Sequence, residues 1–257
     1  MDQAPRTDPL AALRARVARL ERSAPVSAPR PAAGLGAAID ARLPWRGLPV
    51  GALHEVAGSG AEGEHAAAAA RLVAGVLARL PGPVVWAFGR RDLFAPGLAA
   101  VGLHPNRVIH AEAGSPRAVL LVMEEALRQR GLAGVVGEIE GRLTLTASRR
   151  LQLAAEASAV IGFVLRRSRR HDDPALSEPS AAVTRWRVAA LPSGPPLAHA
   201  PDVPGLGRAR WCLDLVRCRG GEPWSWVVEA CDAQGRLGLA ADLADRSEAA
   251  PARRAAT

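Results

Sequence analysis

The sequence predicts an α/β fold in which helices flank a mostly parallel sheet. From about Ala37 onward, short apolar segments alternate with helical segments rich in alanine and leucine, an order typical of parallel strands joined by crossover helices. A glycine-rich turn separates the first strand from the first helix, and two alternating segments joined by a Gly-Gly turn follow near the end. We expect one large domain, because 257 residues are too few for two ordinary ones.

Residues 1–23 are predicted to contain an amphipathic helix. Leu10, Leu13, Val17 and Leu20 fall on one stripe at helical spacing. This helix either packs on its own domain or docks against another subunit, and the pattern favours neither alternative. Residues 24–36 are rich in proline, serine and alanine, so they are predicted to be a linker.

The core is predicted to span residues 37–200. Six strands are predicted at GALHEVAG, PVVWAFG, RVIHAE, AGVVGEI, AVIGFVLRR and VTRWRVAAL. Helices are predicted from about Glu64 to Leu80, near Pro96 to Val101, after Ser115 and through SRRLQLAAEASA. Ser115 is placed as an N-cap because Pro116 follows it at the first helical position.

Residues 201–245 are predicted to form a C-terminal β-hairpin, with RWCLDLVRC and SWVVEAC joined by RGGEPW. Tryptophans that alternate along a strand usually pack a small core, and this is expected for at least two of Trp211, Trp224 and Trp226. Arg217, Arg219, Trp224 and Trp226 also surround the turn, and these residue types are enriched at interface hot spots. They are therefore candidate partner-binding residues, together with the N-terminal stripe. Residues 246–257 are predicted to be disordered.

All 33 basic residues are arginine, and the chain contains no lysine. Schiff-base chemistry and a phosphate-loop lysine are therefore both excluded. The net charge of +8 is weak support for nucleic-acid binding, because base-composition bias in a genome also produces arginine-rich chains. No apolar run reaches the roughly 18–20 residues needed to span a bilayer, so we expect a cytoplasmic protein.

Neither a metal nor a cofactor is predicted. The three cysteines, Cys212, Cys218 and Cys231, lack Cys-x-x-Cys spacing and lie in strand-like segments. The six histidines are scattered without ligand spacing. Buried, reduced thiols are therefore expected in place of a zinc site.

The turn after the first predicted strand has the spacing of a phosphate-binding loop without its chemistry. Gly58 and Gly63 are separated as in G-x-x-x-x-G, but Glu64 and His65 occupy the positions of the lysine and of the hydroxyl residue that binds magnesium. A carboxylate beside a polyphosphate turns an attraction of a few kcal/mol into a repulsion of similar size at roughly 4 Å. The turn is therefore either a degenerate nucleotide loop or simply a tight connection.

The surrounding residues resemble RecA, in which a Gly-Leu-Pro-x-Gly turn leads through a strand ending in glutamate into the phosphate loop. Gly47, Leu48, Pro49, Gly51 and Glu55 match that order. More closely, LPWRGLPVGALHEV and RWCLDLVRCRGGEPWSWVVE resemble the ImuA family, which is related to RecA and occurs in bacterial DNA-damage operons. The resemblance covers roughly residues 37–229 and implies a RecA-like P-loop core.

The resemblance also implies roles for individual residues. RecA has a water-activating glutamate just past the second strand, where this chain has arginines and then Asp92. Glu138 takes the position of the acid linked to magnesium. RecA places a loop that binds single-stranded DNA after the fifth strand, where this chain has Arg166, Arg167, Arg169 and Arg170. These four are candidate DNA-binding residues or a solvated strand end, because no aromatic residue lies among them to stack on bases.

Three functions are therefore considered. The main hypothesis is a non-catalytic accessory protein of an error-prone translesion complex in the SOS response, which binds ImuB and through it an error-prone polymerase III α subunit. RecA and single-stranded DNA are further candidate partners. The second hypothesis is an active RecA-type, DNA-dependent ATPase in which Arg90, Arg91 or a partner's residue supplies the missing charge. The third is an inhibitor of RecA filaments or of cell division.

Overall fold

The computed structural model describes residues 32–60, 62–168, 170, 173–197, 199–200 and 202–239; of residues 62–64 and 239 only the backbone is described. The predicted N-terminal stripe (Leu10, Leu13, Val17, Leu20), Arg169 and residues 246–257 lie outside these ranges. None of the helices in the described part of the chain is long and apolar enough to cross a membrane.

A nine-stranded sheet forms the centre of the fold, in the order β11-β10-β9-β8-β3-β7-β6-β4-β5. Its strands are β3 (Leu53–Gly58), β4 (Val84–Phe88), β5 (Val108–Glu112), β6 (Gly134–Glu140), β7 (Ile161–Arg167), β8 (Thr184–Leu191), β9 (Arg210–Cys218), β10 (Trp224–Glu229) and β11 (Gly238–Leu239). The strands from β8 to β5 run parallel, and β9, β10 and β11 each pair antiparallel with their neighbours. The predicted mostly parallel α/β sheet is therefore confirmed.

Five helices accompany the sheet in the described residues: α1 (Ala37–Asp40), α2 (Glu62–Ala78), α3 (Ala95–Ala99), α4 (Pro116–Leu127) and α5 (Leu145–Ser158). Two further short strands, β1 (Ala32–Ala33) and β2 (Leu48–Pro49), pair with each other before the main sheet begins. β1 and β2 were not predicted, because neither strand is long enough to show a hydrophobic period.

Two apolar cores lie on opposite faces of the sheet. Residues of α1, α2 and α3 pack on one face against Trp86, Phe163 and Trp186. Residues of α4 and α5 pack on the other face against Leu53 and Val164. Alternate residues of the central strands thus point to different helical layers, which gives the near-continuous apolar strands expected of a parallel sheet covered on both sides.

The C-terminal hairpin belongs to the same sheet as the core. β9 pairs with β8 over its whole length, and Trp211, Leu213 and Trp226 are buried in the core that contains α2. The strands β9, β10 and β11 therefore extend the central sheet instead of forming a separate unit.

Side chains fix the ends of the helices. Ser115 Oγ accepts a hydrogen bond of 3.3 Å from the backbone N–H of Ala118, which places it as the N-cap of α4, with Pro116 at the first helical position. At the C-terminal end of α2, the Arg107 guanidinium donates to the carbonyl oxygens of Ala78 at 2.8 Å, of Gly82 at 2.7 Å, and of Leu80. One arginine thus satisfies the Ala78 carbonyl, which the helix end leaves without an intrahelical partner, and two carbonyls of the turn that follows.

A neutral histidine lies inside the sheet. His54 is fully buried, its Nε2 is 3.1 Å from the Pro49 carbonyl oxygen, and its Nδ1 is 2.7 Å from Thr184 Oγ1. These partners assign the proton to Nε2, because a carbonyl can only accept. Burial lowers the pKa of His54 from 6.5 to about 4, so the ring is uncharged at neutral pH.

Candidate functional site

The turn between β3 and α2 is a tight connection. α2 begins at Glu62, so the last positions of the G-x-x-x-x-G stretch already belong to the helix. A Cβ atom on Gly58 would lie only 2.9 Å from His65 Cβ, so close packing against the helix explains why glycine stands there.

His65 is bound to the sheet through its ring. The backbone N–H of Ala190, near the end of β8, donates to His65 Nδ1 at 3.1 Å. In a working loop this position carries the hydroxyl that binds magnesium. Here the Nδ1 lone pair accepts a backbone hydrogen bond, so that atom serves the packing of α2 against β8.

Both acids that the resemblance nominated are held by one guanidinium. Arg167 donates to Asp92 through two bonds of 2.7 Å and also binds Glu138 Oε2. Trp86 Nε1 donates to the other oxygen of Glu138 at 2.8 Å. The hydrogen bond from Arg167 lowers the pKa of Asp92, so this carboxyl is ionised and ion-paired. Arg167 therefore neutralises both acids and competes with any metal ion for their oxygen atoms.

A second ion cluster lies inside the fold around Glu55. Arg166 Nη1 is 3.3 Å and Arg185 Nε is 3.4 Å from Glu55 Oε2. Ser180 Oγ donates to the other carboxylate oxygen. The side chains of Arg166 and Glu55 are each 2% exposed. The prediction that Arg166 belongs to a surface basic cluster is therefore wrong, because the partner that buries it is distant in sequence.

The remaining arginines of the predicted basic cluster differ from one another. Arg167 is 16% exposed and is bound to Asp92 and Glu138. Arg170 is exposed, and its backbone N–H donates to Ser168 Oγ at 3.1 Å. Among the described members of the cluster, only Arg170 presents its side chain to solvent, so contact with DNA through it stays a prediction.

The segment after β7 is fixed by arginines. Arg166 donates to the carbonyl of Ala175 at 3.2 Å, and Arg185 donates to that of Glu178 at 2.6 Å. From β9 and the residue after it, Arg217 donates to Ala182 at 2.8 Å and Arg219 donates to Ala181 at 3.1 Å. Four guanidinium groups thus bind carbonyl oxygens of residues 175–182.

Of the predicted partner-binding residues in the hairpin, some lie in the core and others at the surface. Trp226 is 8% exposed, and its ring centre is 6.0 Å from that of Trp186. Trp224 is 40% exposed, and the guanidinium carbon of Arg42 lies 3.8 Å from its ring centre. We call Arg42 and Trp224 the hairpin patch. The sequence did not indicate Arg42, because the residue that it contacts lies far along the chain.

Cys218 and Cys231 are buried, as the sequence predicted, whereas Cys212 is half-buried; all three are free thiols. Burial raises the pKa of Cys218 and of Cys231 to about 11. Within the described ranges, no group of three or more histidine, cysteine, aspartate or glutamate side chains is arranged to hold a metal ion.

Comparison with known proteins identifies the family. No protein-family model matches the chain. The chain is 43% identical over 223 residues to Protein ImuA from two strains of Caulobacter vibrioides, NA1000 / CB15N and ATCC 19089 / CIP 103742 / CB 15, covering 82% of this chain and 89% of each relative. The chain belongs to the ImuA family. Among solved structures, the RadB recombinase superposes with a TM-score of 0.54 at 15% identity, covering 76% of this chain and 93% of that one.

The two comparisons confirm the predicted family and fold. The likeness to RadB establishes a RecA-like architecture for this ImuA chain. Together with membership of the ImuA family, it makes the chain a RecA-like protein related to DNA damage and mutagenesis.

Proposed function

We propose that this ImuA-family chain is a non-catalytic accessory protein of an error-prone translesion-synthesis complex. It would act by binding ImuB, a Y-family-like protein, and through ImuB an error-prone polymerase III α subunit. The observation that carries the proposal is the binding of Asp92 and Glu138 by Arg167. A guanidinium occupies the place at which an ATPase of this fold needs free carboxylates.

The loop chemistry supports the same proposal. The chain contains no lysine, and Glu64 stands where a phosphate-loop lysine would neutralise the β and γ phosphates. His65 supplies no hydroxyl for magnesium, and its Nδ1 accepts a backbone hydrogen bond. The phosphate-binding charge, the magnesium ligand and the free acid of a working site are each replaced, and these three replacements support a non-catalytic role.

The hairpin patch is the surface that we propose for ImuB. Trp224 combines 40% exposure with a stacked arginine, and tryptophan and arginine dominate binding energy at interfaces. Trp226, Arg217 and Arg219, which the sequence also nominated, hold the core and residues 180–182 together. They would support the patch rather than contact the partner.

A pull-down with purified ImuB tests this surface. Trp224→Ala and Arg42→Ala should each weaken binding by roughly tenfold or more, the loss typical of a hot-spot residue. Leu153→Ala is the matched control, because Leu153 is a 49% exposed residue on α5. Point variants are preferable to truncation before Arg208, because truncation would remove β9 and β10 and with them part of the core. Equal binding by all variants would exclude the hairpin patch as the ImuB surface.

One observation supports the alternative that the chain is an active ATPase. Arg187 Nη1 lies 3.4 Å from the Gly58 carbonyl oxygen, so a cation stands beside the degenerate loop. Burial, with Arg185 and Arg166 nearby, lowers the pKa of Arg187. Turnover of ATP by the pure protein would revive this alternative and would contradict the accessory role.

A further inference from the structure

The strand β10 has an open edge over most of its length. On one side it pairs with β9 from Trp224 to Glu229. On the other side β11 pairs only with Val228 and Glu229. No strand in the described part of the chain pairs with residues 224–227 on that side. An open edge is a site at which a further strand adds, because its backbone N–H and C=O groups can pair with another segment.

The backbone groups of Ser225 and Val227 face this open edge. The N–H of Ala230 donates to the Ala209 carbonyl oxygen on the β9 side at 2.7 Å. Backbone groups alternate in direction along an antiparallel strand, so those of Trp226 also point to β9, and those of Ser225 and Val227 point away from it. These two residues thus present one N–H and one C=O group each to an added strand.

The chain itself leads onto this edge. β11 ends at Leu239, which lies opposite Val228 in antiparallel register. Continued in the same register, the next four residues each stand opposite one residue of the open edge: Ala240 opposite Val227, Ala241 opposite Trp226, Asp242 opposite Ser225 and Leu243 opposite Trp224. Val227 and Ser225 then belong to hydrogen-bonded pairs, because such pairs alternate along an antiparallel ladder.

The sequence after β11 suits this position. Leucine, alanine and leucine occupy positions 239, 241 and 243, and Asp242 falls between them, as in a strand with one apolar face. In the continued register Leu243 lies on the face of the sheet that carries Trp224, which is 40% exposed and stacks on Arg42. Side chains directly opposite each other in an antiparallel pair have Cβ atoms within about 5.5 Å, so Leu243 reaches the Trp224 ring.

We propose that residues 240–243 extend β11 along the open edge of β10 and cover Trp224 of the hairpin patch in the free protein. In this position the tail competes with ImuB for the patch, a consequence that rests on the ImuB surface proposed above. The docking of the tail itself does not depend on ImuB. A segment tethered to its own site competes well even when its contacts are few, because its effective concentration is on the order of millimolar.

Hydrogen exchange followed by NMR tests the docking of the tail. The full chain is compared with a chain that ends at Leu239. We expect the amides of Ser225 and Val227 to exchange about tenfold faster or more in the shorter chain, because they lose their acceptors. The Trp226 amide, which points to β9, should exchange equally slowly in both chains and shows that the sheet is intact. Equal exchange of Ser225 and Val227 in the two chains would overturn the proposal.

Two proline variants of the full chain test the register. In the continued ladder the Ala240 N–H faces β10, whereas the Ala241 N–H faces away from it. Proline has no N–H and is tolerated in an edge strand where that group faces away from the neighbouring strand. Ala240→Pro should therefore speed the exchange of Ser225 and Val227 as truncation does, and Ala241→Pro should not. The same exchange rates in the two proline variants would overturn this register.

The affinity for ImuB separates the docking from its consequence. If the tail covers the edge for about nine-tenths of the time, truncation or Ala240→Pro should tighten ImuB binding by about tenfold, and Ala241→Pro should leave it unchanged. Faster exchange without a change in ImuB affinity would overturn the competition and leave the docking established. Failure of every chain to bind ImuB, with exchange as expected, would refute the proposed function instead.

Discussion

Replacing Arg167 by leucine is expected to destabilise the protein, because it leaves Glu138 buried without its cation. The Glu138 side chain is 4% exposed and would keep only the hydrogen bond from Trp86. Removing one partner of a buried ion pair costs roughly 3–5 kcal/mol. The Asp92 side chain is 42% exposed, so water can solvate it, and the loss of its ion pair contributes little to the lost stability. We therefore expect a loss of about 2–4 kcal/mol at neutral pH.

Urea unfolding followed by circular dichroism measures this loss. Adding Glu138→Gln to Arg167→Leu should restore at least half of the lost stability, because the double variant no longer buries a lone charge. Arg91→Leu is the control: its ion pair with Glu112 is largely exposed, so it should cost no more than about 0.5 kcal/mol. A loss this small for Arg167→Leu, or no coupling to Glu138, would refute the reasoning.

Three further predictions concern stability and reactivity. The neutral state of His54, whose pKa falls from 6.5 unfolded to about 4 folded, stabilises the fold fully above pH 6.5. That contribution is lost as pH falls toward 4, by roughly 2 kcal/mol at pH 5. Urea titrations should show this slope in the wild type and not in His54→Gln; equal slopes would refute it. Arg107→Met should lower stability by about 1–3 kcal/mol, as seen in thermal and urea unfolding, while unchanged stability would mean that water caps α2 equally well. With a pKa of about 11, Cys218 and Cys231 should have only about a thousandth of their thiols ionised at pH 8. They should react with Ellman's reagent only after unfolding, and rapid modification of all three cysteines in the native protein would contradict this.

Local signals in the sequence predicted much of the fold. Ser115 followed by Pro116 specifies a helix start through a hydrogen bond three residues away, which needs no tertiary information. The alternating segments around the Gly-Gly turn likewise predicted the pairing of β9 with β10. The predicted helix of about Glu64 to Leu80 begins and ends two residues earlier, at Glu62 and Ala78, which is ordinary for boundaries.

The contacts that define the site could not be predicted, because they join residues far apart in sequence. Arg166 and Glu55 are 111 positions apart, and Arg167 and Asp92 are 75 apart. A run of arginines at a strand end is expected to be solvated, because the sequence does not show which acidic side chains the fold brings next to it. The composition alone did predict one property of the site. Because the chain contains no lysine, the loop that begins at Gly58 lacks the lysine that usually binds phosphate, whatever the fold.

A measurement of ATP hydrolysis tests the proposed non-catalytic role. The purified full chain is incubated with ATP and magnesium, with and without single-stranded DNA, beside a Gly63→Val variant. We expect phosphate release equal to that of buffer for both proteins, because Arg167 holds both acids and no lysine is present. Activity that remains in Gly63→Val would reveal a contaminating enzyme and would leave the prediction standing. DNA-stimulated turnover by the wild type that disappears in Gly63→Val would contradict the account.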